Sequence, residues 1–237
     1  MFTDISFSPS LAKKIKETSE VISKAIDKYG KHLALCFNGG KDATVLLDIV
    51  SKVSMYKMQS NSKDKLTEIE RQEINQQVKT YYLVNTDDFE EIIDFLHISQ
   101  NFWNIKLIKL PTSSLKDGLS DMIENYDTKA IFLGVRNSDL KAPLTNEFQP
   151  TTSGWPDAMR VMPILNWTYN EIWEYIEKTN IPYCSLYDQG YTSIGSKCDT
   201  LPNPNLYDKE TDSYKKAKFL ENEEDEPAES TFFDIQT

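Results

Sequence analysis

The sequence predicts an α/β protein with a doubly wound, mostly parallel sheet and helices on both faces. Short apolar runs alternate with segments of helical periodicity, which is the pattern of consecutive strand–helix units. Hydrophobic residues make up 39% of the 237 residues, enough for a sizeable core. No internal repeat is visible, so we expect one sheet rather than a repeat array.

The first predicted element is a helix over residues 9–29. Pro9 suits its first turn after Ser8, because the N–H that proline lacks would have no partner there. Apolar residues recur at helical spacing through the segment. Gly30 is expected to end the helix, as glycine commonly does just after the last helical residue.

The first strand and the next helix flank a short polar loop. Residues 32–37 form an apolar run typical of a buried strand, and residues 43–53 have apolar side chains on one helical face. Residues 57–79 are polar and charged. We expect that stretch to be a solvated insertion or an extension of the helix.

The remaining elements continue the alternation. Strands are predicted at residues 80–84, 105–110, 130–135 and 161–165, and helices at 89–100, 114–126 and 168–179. The last helix opens with a capping box, in which the side chains of Thr168 and Glu171 satisfy free backbone N–H groups.

The chain from about residue 207 onwards is charged, and residues 221–229 are almost entirely acidic. A segment of this composition buries too little apolar surface to become ordered by itself. We therefore predict an acidic, flexible tail over residues 207–237.

Composition disfavours membrane and secreted proteins. No apolar run approaches the roughly 18 residues of a membrane span, and the first residues lack the apolar core of a secretory signal. The three cysteines, Cys36, Cys184 and Cys198, are too few and too scattered for a disulfide framework or a zinc site. We expect a cytoplasmic protein with no membrane partner.

The net charge of −11 disfavours a nucleic-acid partner, because such proteins carry a basic patch and none is visible. An acidic protein that binds an anionic nucleotide must gather its few cations locally. Only three of the 26 basic residues are arginine, namely Arg71, Arg136 and Arg160. Arginine grips phosphate with two parallel N–H groups, and two of the three lie in the motifs described next.

The strongest motif is FNGGKD at residues 37–42, between the first strand and a helix. Gly39 and Gly40 allow the backbone to approach a ligand closely, and the helix directs free N–H groups at the same point. Lys41 adds a full positive charge. The segment predicts a phosphate cradle rather than a plain turn, although its spacing is not the GxxxxGK[ST] of enzymes that transfer the γ-phosphate.

This loop resembles the SGGKDS-type loop of the ATP-pyrophosphatase and sulfonucleotide-reductase superfamily. With Asn38 in place of serine, it is similar to the eukaryotic FAD synthetase branch. Residues 134–139 (GVRNSD) and 148–167, which contain W-P-x-x-M-R-x-x-P-x-L-x-W, resemble two further motifs of that branch. A weaker similarity lies at residues 191–204, and the whole resemblance covers about 30–206.

The resemblance implies a five-stranded sheet in the order 3-2-1-4-5, followed by an irregular C-terminal segment. It also implies a single adenylyltransferase domain over residues 1–206. Within that domain we expect the N-terminal helix 9–29, a nucleotide-binding core over 31–135 and a flavin-side segment over 136–206.

The implied reaction moves AMP from ATP to FMN and yields FAD and pyrophosphate, with Mg²⁺ as cofactor. The FMN phosphate would attack the α-phosphorus in line, and as an ionised phosphate it needs no general base. Mg²⁺, lysine and arginine must cancel the repulsion between the two anions, and positioning supplies much of the rest.

The residues expected to serve this reaction form four overlapping sets. The expected catalytic residues are Lys41, Asp42, Arg136 and Asp139. The expected contacts to ATP are Phe37, Asn38, Gly39, Gly40, Lys41, Asp42, Asp87, Gly134 and Arg136. The expected contacts to the flavin are Thr152, Trp155, Asp157, Met159 and Arg160. Because Mg²⁺ prefers oxygen ligands, its expected ligands are Asp42, Asp139 and Asn38.

Four departures from the family pattern lie on the acceptor side. Thr152 stands in place of a usual aspartate, Leu140 in place of proline and Ala158 in place of phenylalanine. The C-terminal arginines common in the family are absent, since none follows Arg160. The resemblance therefore implies binding of ATP more firmly than it implies FMN as the acceptor.

Three alternatives stay open. A sulfonucleotide (PAPS/APS) reductase needs a nucleophilic cysteine, and the segment around Cys198 does not match the one that carries it. A thiolating or amidating ATP pyrophosphatase would bring paired cysteines or an added domain. A degenerate ATP-binding module without turnover is disfavoured by the intact catalytic set. For the main interpretation we expect a monomer whose partners are the small molecules ATP and FMN.

Overall fold

The computed structural model describes residues 5–61, 67–84, 86–112, 114–140 and 142–227. It confirms the doubly wound α/β fold. The helices are α1 Pro9–Tyr29, α2 Lys41–Asn61, α3 Glu68–Gln77, α4 Glu90–Phe102, α5 Leu115–Glu124 and α6 Tyr169–Thr179. The strands are β1 Leu33–Cys36, β2 Lys79–Val84, β3 Leu107–Pro111, β4 Ala130–Phe132, β5 Phe148–Pro150, β6 Met159–Val161, β7 Tyr207–Asp208 and β8 Ser213–Tyr214.

The main sheet has six strands in the order β3-β2-β1-β4-β6-β5. Its five parallel strands follow the predicted order 3-2-1-4-5, with β6 as the fifth. The sixth strand, β5, pairs antiparallel with β6 at the edge and was not predicted. Three residues are too short to show periodicity, and Pro150 suits an edge position because proline cannot donate to a ladder.

Two apolar cores lie on opposite faces of the sheet, as the alternation of strand side chains requires. In β1, Leu33 and Leu35 belong to the larger core with α1, α2, α4 and α6. Ala34 belongs to the smaller core, where Leu119 and Met122 of α5 cover the other face. The central strands are therefore buried on both sides.

The helix boundaries follow from capping groups that were visible in the sequence. The Ser8 hydroxyl accepts a hydrogen bond from the Leu11 N–H at 3.3 Å, and Gly30 ends α1 with a φ of 50°. The predicted capping box of Thr168 and Glu171 is present at the start of α6.

The polar stretch at residues 57–79 divides between two helices. α2 runs on to Asn61, so the predicted helix extension is present, and α3 opens at a second capping box between Thr67 and Glu70. Residues 62–66 of the stretch lie outside the described part of the chain.

Residues 207–227 pack against the fold, which differs from the flexible tail expected there. Leu206, Ala217 and Leu220 are buried in the larger core, and β7 and β8 form a short hairpin. The Tyr169 hydroxyl donates to the Ala217 carbonyl at 2.7 Å. Residues 207–227 contain few apolar side chains, so ion pairs provide much of the remaining attachment of this segment to the fold. Residues 228–237 of the predicted tail lie outside the described residues.

None of the helices in the described part of the chain combines the length and the apolar character needed to cross a membrane.

We predict that Gly134→Ala lowers the free energy of unfolding by about 1–3 kcal/mol, as overpacking does. A Cβ atom at Gly134 would lie 2.8 Å from the Cα and backbone nitrogen of Ala43, so the start of α2 would have to move. Urea denaturation measures the change. Gly118→Ala is the control, because its Cβ would meet the flexible end of the Leu83 side chain. Equal stability of the Gly134 variant and the wild type would contradict the close packing.

Candidate active site

The glycine-rich loop lies where the carboxyl end of β1 meets the start of α2. The Phe37 N–H donates to the Tyr81 carbonyl at 2.8 Å, which ties the loop to β2. Gly39 has a φ of +81°, a conformation that side chains other than glycine rarely adopt. The Asn38 side-chain oxygen accepts a hydrogen bond from the Gly40 N–H at 3.0 Å. The loop is therefore shaped by its own contacts.

Lys41 is the first residue of α2, and its side chain is completely buried. Its ammonium nitrogen lies 2.9 Å from a carboxylate oxygen of Asp42 and 2.5 Å from one of Glu226. The ring centres of Tyr169 and Tyr187 lie 5.3 and 5.8 Å from the same nitrogen. The Tyr187 hydroxyl also accepts a hydrogen bond from the Lys41 backbone N–H at 2.8 Å. The ammonium group thus sits between carboxylates and aromatic rings.

Arg136 follows β4 and is 1% exposed. Its Nε lies 2.8 Å from an oxygen of Asp42, which joins the loop after β1 to the loop after β4. Its Nη2 lies 3.0 Å from Asp139 and 2.7 Å from Glu226, and its Nη1 lies 3.2 Å from Glu223. The guanidinium is therefore the centre of the cluster.

The four sequence-predicted catalytic residues, Lys41, Asp42, Arg136 and Asp139, come together in this cluster. The two glutamates were missed, because their acidic segment was interpreted only as a tail. Tyr169 and Tyr187 were also missed, since a tyrosine in a core helix or a short turn carries no local signal of a site.

Burial and charge shift the pKa values of the cluster in different directions. Burial lowers the pKa of Lys41, but the Asp42 and Glu226 carboxylates outweigh it and raise that pKa well above its usual range. Burial alone would raise the pKa of Asp42, but the neighbouring cations Arg136 and Lys41 outweigh the effect of burial and lower that pKa. Burial and the neighbouring Asp42 raise the pKa of Asp139 to about 6. Asp42 is therefore the carboxylate held firmly in its charged form.

A cavity of about 720 Å³ opens beside the loop, at the carboxyl ends of β1, β2 and β4. Its size is that of a typical small-molecule or cofactor site. Doubly wound sheets bind ligands at this position, where neighbouring strands continue in opposite directions along the sheet. Its lining includes the expected ATP contacts Phe37, Asn38, Gly40, Asp42 and Gly134, together with Asp88, Ile194, Gly195, Ser196 and Asp199.

Asp87 and Asp88 divide their roles in a way the sequence did not indicate. Asp88 lines the cavity, and the Tyr82 hydroxyl donates to it. The Asp87 carboxylate accepts a hydrogen bond from the Cys198 N–H at 2.9 Å, and its carbonyl accepts one from the Lys197 N–H at 3.0 Å. Asp87, the residue expected to contact ATP, therefore holds the loop that forms one wall of the cavity.

The expected flavin contacts lie around β5 and β6, on the other side of β4 from the cavity. Arg160 of β6 is 7% exposed and donates to the Pro150 carbonyl at 3.1 Å, and burial lowers its pKa. Trp155 packs against the smaller core and donates from its backbone N–H to Thr152 at 3.1 Å. Met159 packs against the larger core and Asp157 is exposed.

The fold and the loop define a class: an α/β protein that presents a buried lysine–arginine–carboxylate cluster beside a nucleotide-sized cavity. Residues 32–202 match the model of the phosphoadenosine phosphosulfate reductase domain family. The chain belongs to that family.

Relatives in this family carry the name FAD synthase. The chain is 34% identical over 197 residues to a "Probable FAD synthase" of Schizosaccharomyces pombe, covering 83% of this chain and 71% of that protein. It is 32% identical over 201 residues to a "Probable FAD synthase" of Caenorhabditis elegans, covering 82% of this chain. That alignment covers 35% of the worm protein, so the chain spans about a third of that relative's length.

The fold is also similar to that of the crystal structure of yeast FAD synthetase in complex with FAD. The TM-score is 0.79, and the match covers 96% of this chain and 93% of that chain at 23% identity. The likeness supports the doubly wound fold.

We predict that Asp139 makes stability fall as the pH rises from about 4 to about 6. Its pKa in the folded protein, about 6, exceeds the usual 3.8, so the folded state binds this proton more tightly than the unfolded chain does. The loss of stability is absent at pH values below the usual pKa of 3.8 and is complete above the folded-state pKa of about 6.

Asp139→Asn removes this dependence. Urea denaturation of both proteins from pH 4 to pH 7 should show the wild type losing stability relative to the variant as the pH rises. Asp42 is present in both proteins, so its opposite contribution largely cancels from the difference. Parallel stability curves would contradict the raised pKa.

Proposed function

We propose that this protein is an FMN adenylyltransferase, which transfers AMP from ATP to FMN and releases FAD and pyrophosphate. The observation that carries the proposal is the pair of buried contacts that Asp42 makes with Lys41 and with Arg136 beside the cavity. The name of the Schizosaccharomyces pombe relative supports the same reaction. We also propose that the enzyme acts on free ATP and FMN in the cytoplasm, as a monomer.

The cavity and the loop together suit ATP. The adenosine would occupy the cavity between β2 and the loop that contains Ile194 and Ser196. The phosphate chain would then reach Gly39 and Gly40 and the free N–H groups at the start of α2. From there Lys41 and Arg136 would be the nearest cations, since Asp42 holds both of them.

The chemistry requires an anion to attack the α-phosphorus of another anion. The acceptor phosphate is already ionised, so no side chain has to remove a proton. Lys41 and Arg136 would stabilise the charge that develops on the pyrophosphate leaving group, and their burial strengthens that interaction. In this assignment the protein contributes positioning and charge, which suffice for transfer reactions of this kind.

Mg²⁺ fits the donor set as an ion that arrives with ATP. In the described residues no three His, Cys, Asp or Glu side chains are arranged to hold a metal by themselves. Mg²⁺ typically takes one or two carboxylates and completes its shell with phosphate and water. Asp42, Asp139 and Asn38 are our candidate ligands, and Asp42 and Asn38 line the cavity. When bound, the ion would neutralise phosphate charge.

The acceptor would approach from the side of β6. Arg160 pairs in register with Ile131 of β4, the strand whose loop carries Arg136. Arg160 is therefore a cation one strand away from the cluster, within the part of the fold expected to contact the flavin. We assign Arg160, Trp155, Met159, Asp157 and Thr152 to the FMN side.

The test is a mixture of the protein with ATP, Mg²⁺ and FMN, followed by chromatographic separation of the flavins. We expect FAD and pyrophosphate in equal amounts. Lys41→Ala and Asp42→Ala should each lower the rate by at least about 10²-fold, as the loss of one transition-state donor does.

Lys13→Ala is the matched control, because Lys13 lies on the exposed face of α1 with 78% of its side chain accessible. It should leave the rate at the wild-type value. Wild-type rates in the Lys41 and Asp42 variants would show that the site lies elsewhere. Absence of FAD with ATP still bound would point to another acceptor or to a binding module.

A sulfonucleotide reductase is the second candidate, because the matching domain family is named after that activity. Cys198 is exposed and lies between two cavity residues, Ser196 and Asp199. The Ser196 hydroxyl lowers the pKa of the Cys198 thiol, but the carboxylates of Asp87 and Asp199 outweigh it and raise that pKa. A nucleophilic thiol needs the opposite shift.

We predict that Cys198→Ser forms FAD at the wild-type rate, because the thiol takes no part in adenylyl transfer. The same variant of a reductase would be inactive. The assay is reduction of adenosine 5′-phosphosulfate and its 3′-phosphorylated form with a dithiol donor, beside the FAD assay. Wild-type reductase activity that disappears with Cys198 would overturn our assignment.

A further inference from the structure

The cations proposed to hold the phosphates of ATP are already neutralised by a distant part of the chain. One Glu226 carboxylate bridges both of them, with one oxygen 2.5 Å from Lys41 Nζ and the other 2.7 Å from Arg136 Nη2. A phosphate group would bind in the same way, with one of its oxygens on the lysine and another on the arginine. Glu226 therefore takes up the donors of Lys41 and Arg136 that the proposed function assigns to phosphate.

A second carboxylate of the same segment supports this arrangement. Glu223 lies 3.2 Å from Arg136 Nη1 and accepts a hydrogen bond from the Tyr169 N–H at 2.8 Å. Tyr169 is the first residue of α6, whose free N–H groups attract anions. Glu223 thus fills another position at which a phosphate oxygen would be stabilised.

We propose that the acidic segment, defined as residues 221–227, is a built-in competitor of ATP that must leave the cluster before the phosphates bind. The proposal rests on the proposed function of the same site. Lys41 and Arg136 are 0% and 1% exposed with the segment in place, so a phosphate cannot reach them. Displacement of Glu226 is therefore a condition for their use.

The attachments of the segment suit reversible release. Leu220 is buried in the larger core and anchors the chain just before the segment. Beyond it, residues 223–225 form a single 3-10 turn that is held by polar contacts, including the Asn203 amide donating to the Asp225 carbonyl at 2.9 Å. Contacts of this kind are lost without exposing a core, and Leu220 can remain in place as the pivot.

Exchange of one anion for another explains why the segment is acidic. Asp42 pairs with both buried cations on one side, and Glu226 pairs with both on the side where the phosphates would bind. Phosphates that replace Glu226 would restore the charge pairing on that side, so the buried cations would not be left short of a partner. The cost is a weaker apparent affinity, because ATP binds only the fraction of molecules with the segment released.

Glu226→Gln in the full-length chain tests the proposal, with binding of Mg·ATP measured by calorimetry in the absence of FMN. The amide cannot neutralise two cations, so the dissociation constant for Mg·ATP should fall by about 5- to 100-fold, a typical range for coupling between sites. Glu224→Gln is the matched control. It makes the same charge change in the same segment, but Glu224 is exposed, and its affinity should equal the wild-type value.

A measurement on the wild-type chain covers the case in which the variant does not fold. Hydrogen exchange of the backbone N–H groups in residues 221–226 should become faster when Mg·ATP or magnesium pyrophosphate is added, because the segment leaves the cluster. Unchanged or slower exchange on binding would overturn the proposal. So would a Glu226→Gln variant that folds and binds Mg·ATP no more tightly than the wild type.

These outcomes are separable from failure of the proposed function. If Glu226→Gln binds Mg·ATP more tightly but no FAD forms, competition by the segment stands and the acceptor is wrong. If FAD forms and the variant gains no affinity, the reaction stands and the competition is wrong.

Discussion

The ion pair between Asp42 and Arg136 is the contact on which the rest of the site depends. Asp42 lies in the first turn of α2, behind the loop that follows β1, and Arg136 follows β4, the strand beside β1. Their contact at 2.8 Å joins the two loops at the point where the order of the sheet reverses. Because both charges are buried, neither can lose its partner cheaply. Lys41 pairs with Asp42, and Asp139 pairs with Arg136, so both are held by this ion pair.

Local concentration of charge lets an acidic protein handle anions. With a net charge of −11, most of the surface repels phosphate, and an attractive field has to be built at one place. The structure builds it from one lysine, one arginine and the starts of two helices, α2 and α6, inside a shell of carboxylates. The cavity beside the cluster is lined by more apolar groups, such as Ile92 and Ile194. The two parts of the site match the two parts of a nucleotide: the more apolar cavity suits the flat base, and the charged cluster suits the phosphate chain.

Most of the fold could be predicted because its elements carry local signals. Capping groups such as Ser8 and Thr168 set helix ends to within a residue or two, and apolar runs located four of the five parallel strands. The fifth, β6, was misplaced: it ends at Val161, where the predicted strand 161–165 begins, because the apolar run continues into a turn. The strand order came from resemblance and not from the residues. β5 was not predicted, because a strand of three residues is too short to show a periodic pattern. α3 was not predicted as a separate helix because it is polar, although its capping box at Thr67 was visible in the sequence.

The sequence by itself indicated a phosphate-binding loop and the candidate set of Lys41, Asp42, Arg136 and Asp139, since each lies close to a strand end that a local pattern reveals. Only the tertiary structure decided which acidic groups face them. Glu226 meets Lys41 across 185 positions, and Asp88 rather than Asp87 lines the cavity. The reason is physical: periodicity along the chain reports local conformation, whereas contacts between distant residues depend on strand order, chain path and the direction of each side chain.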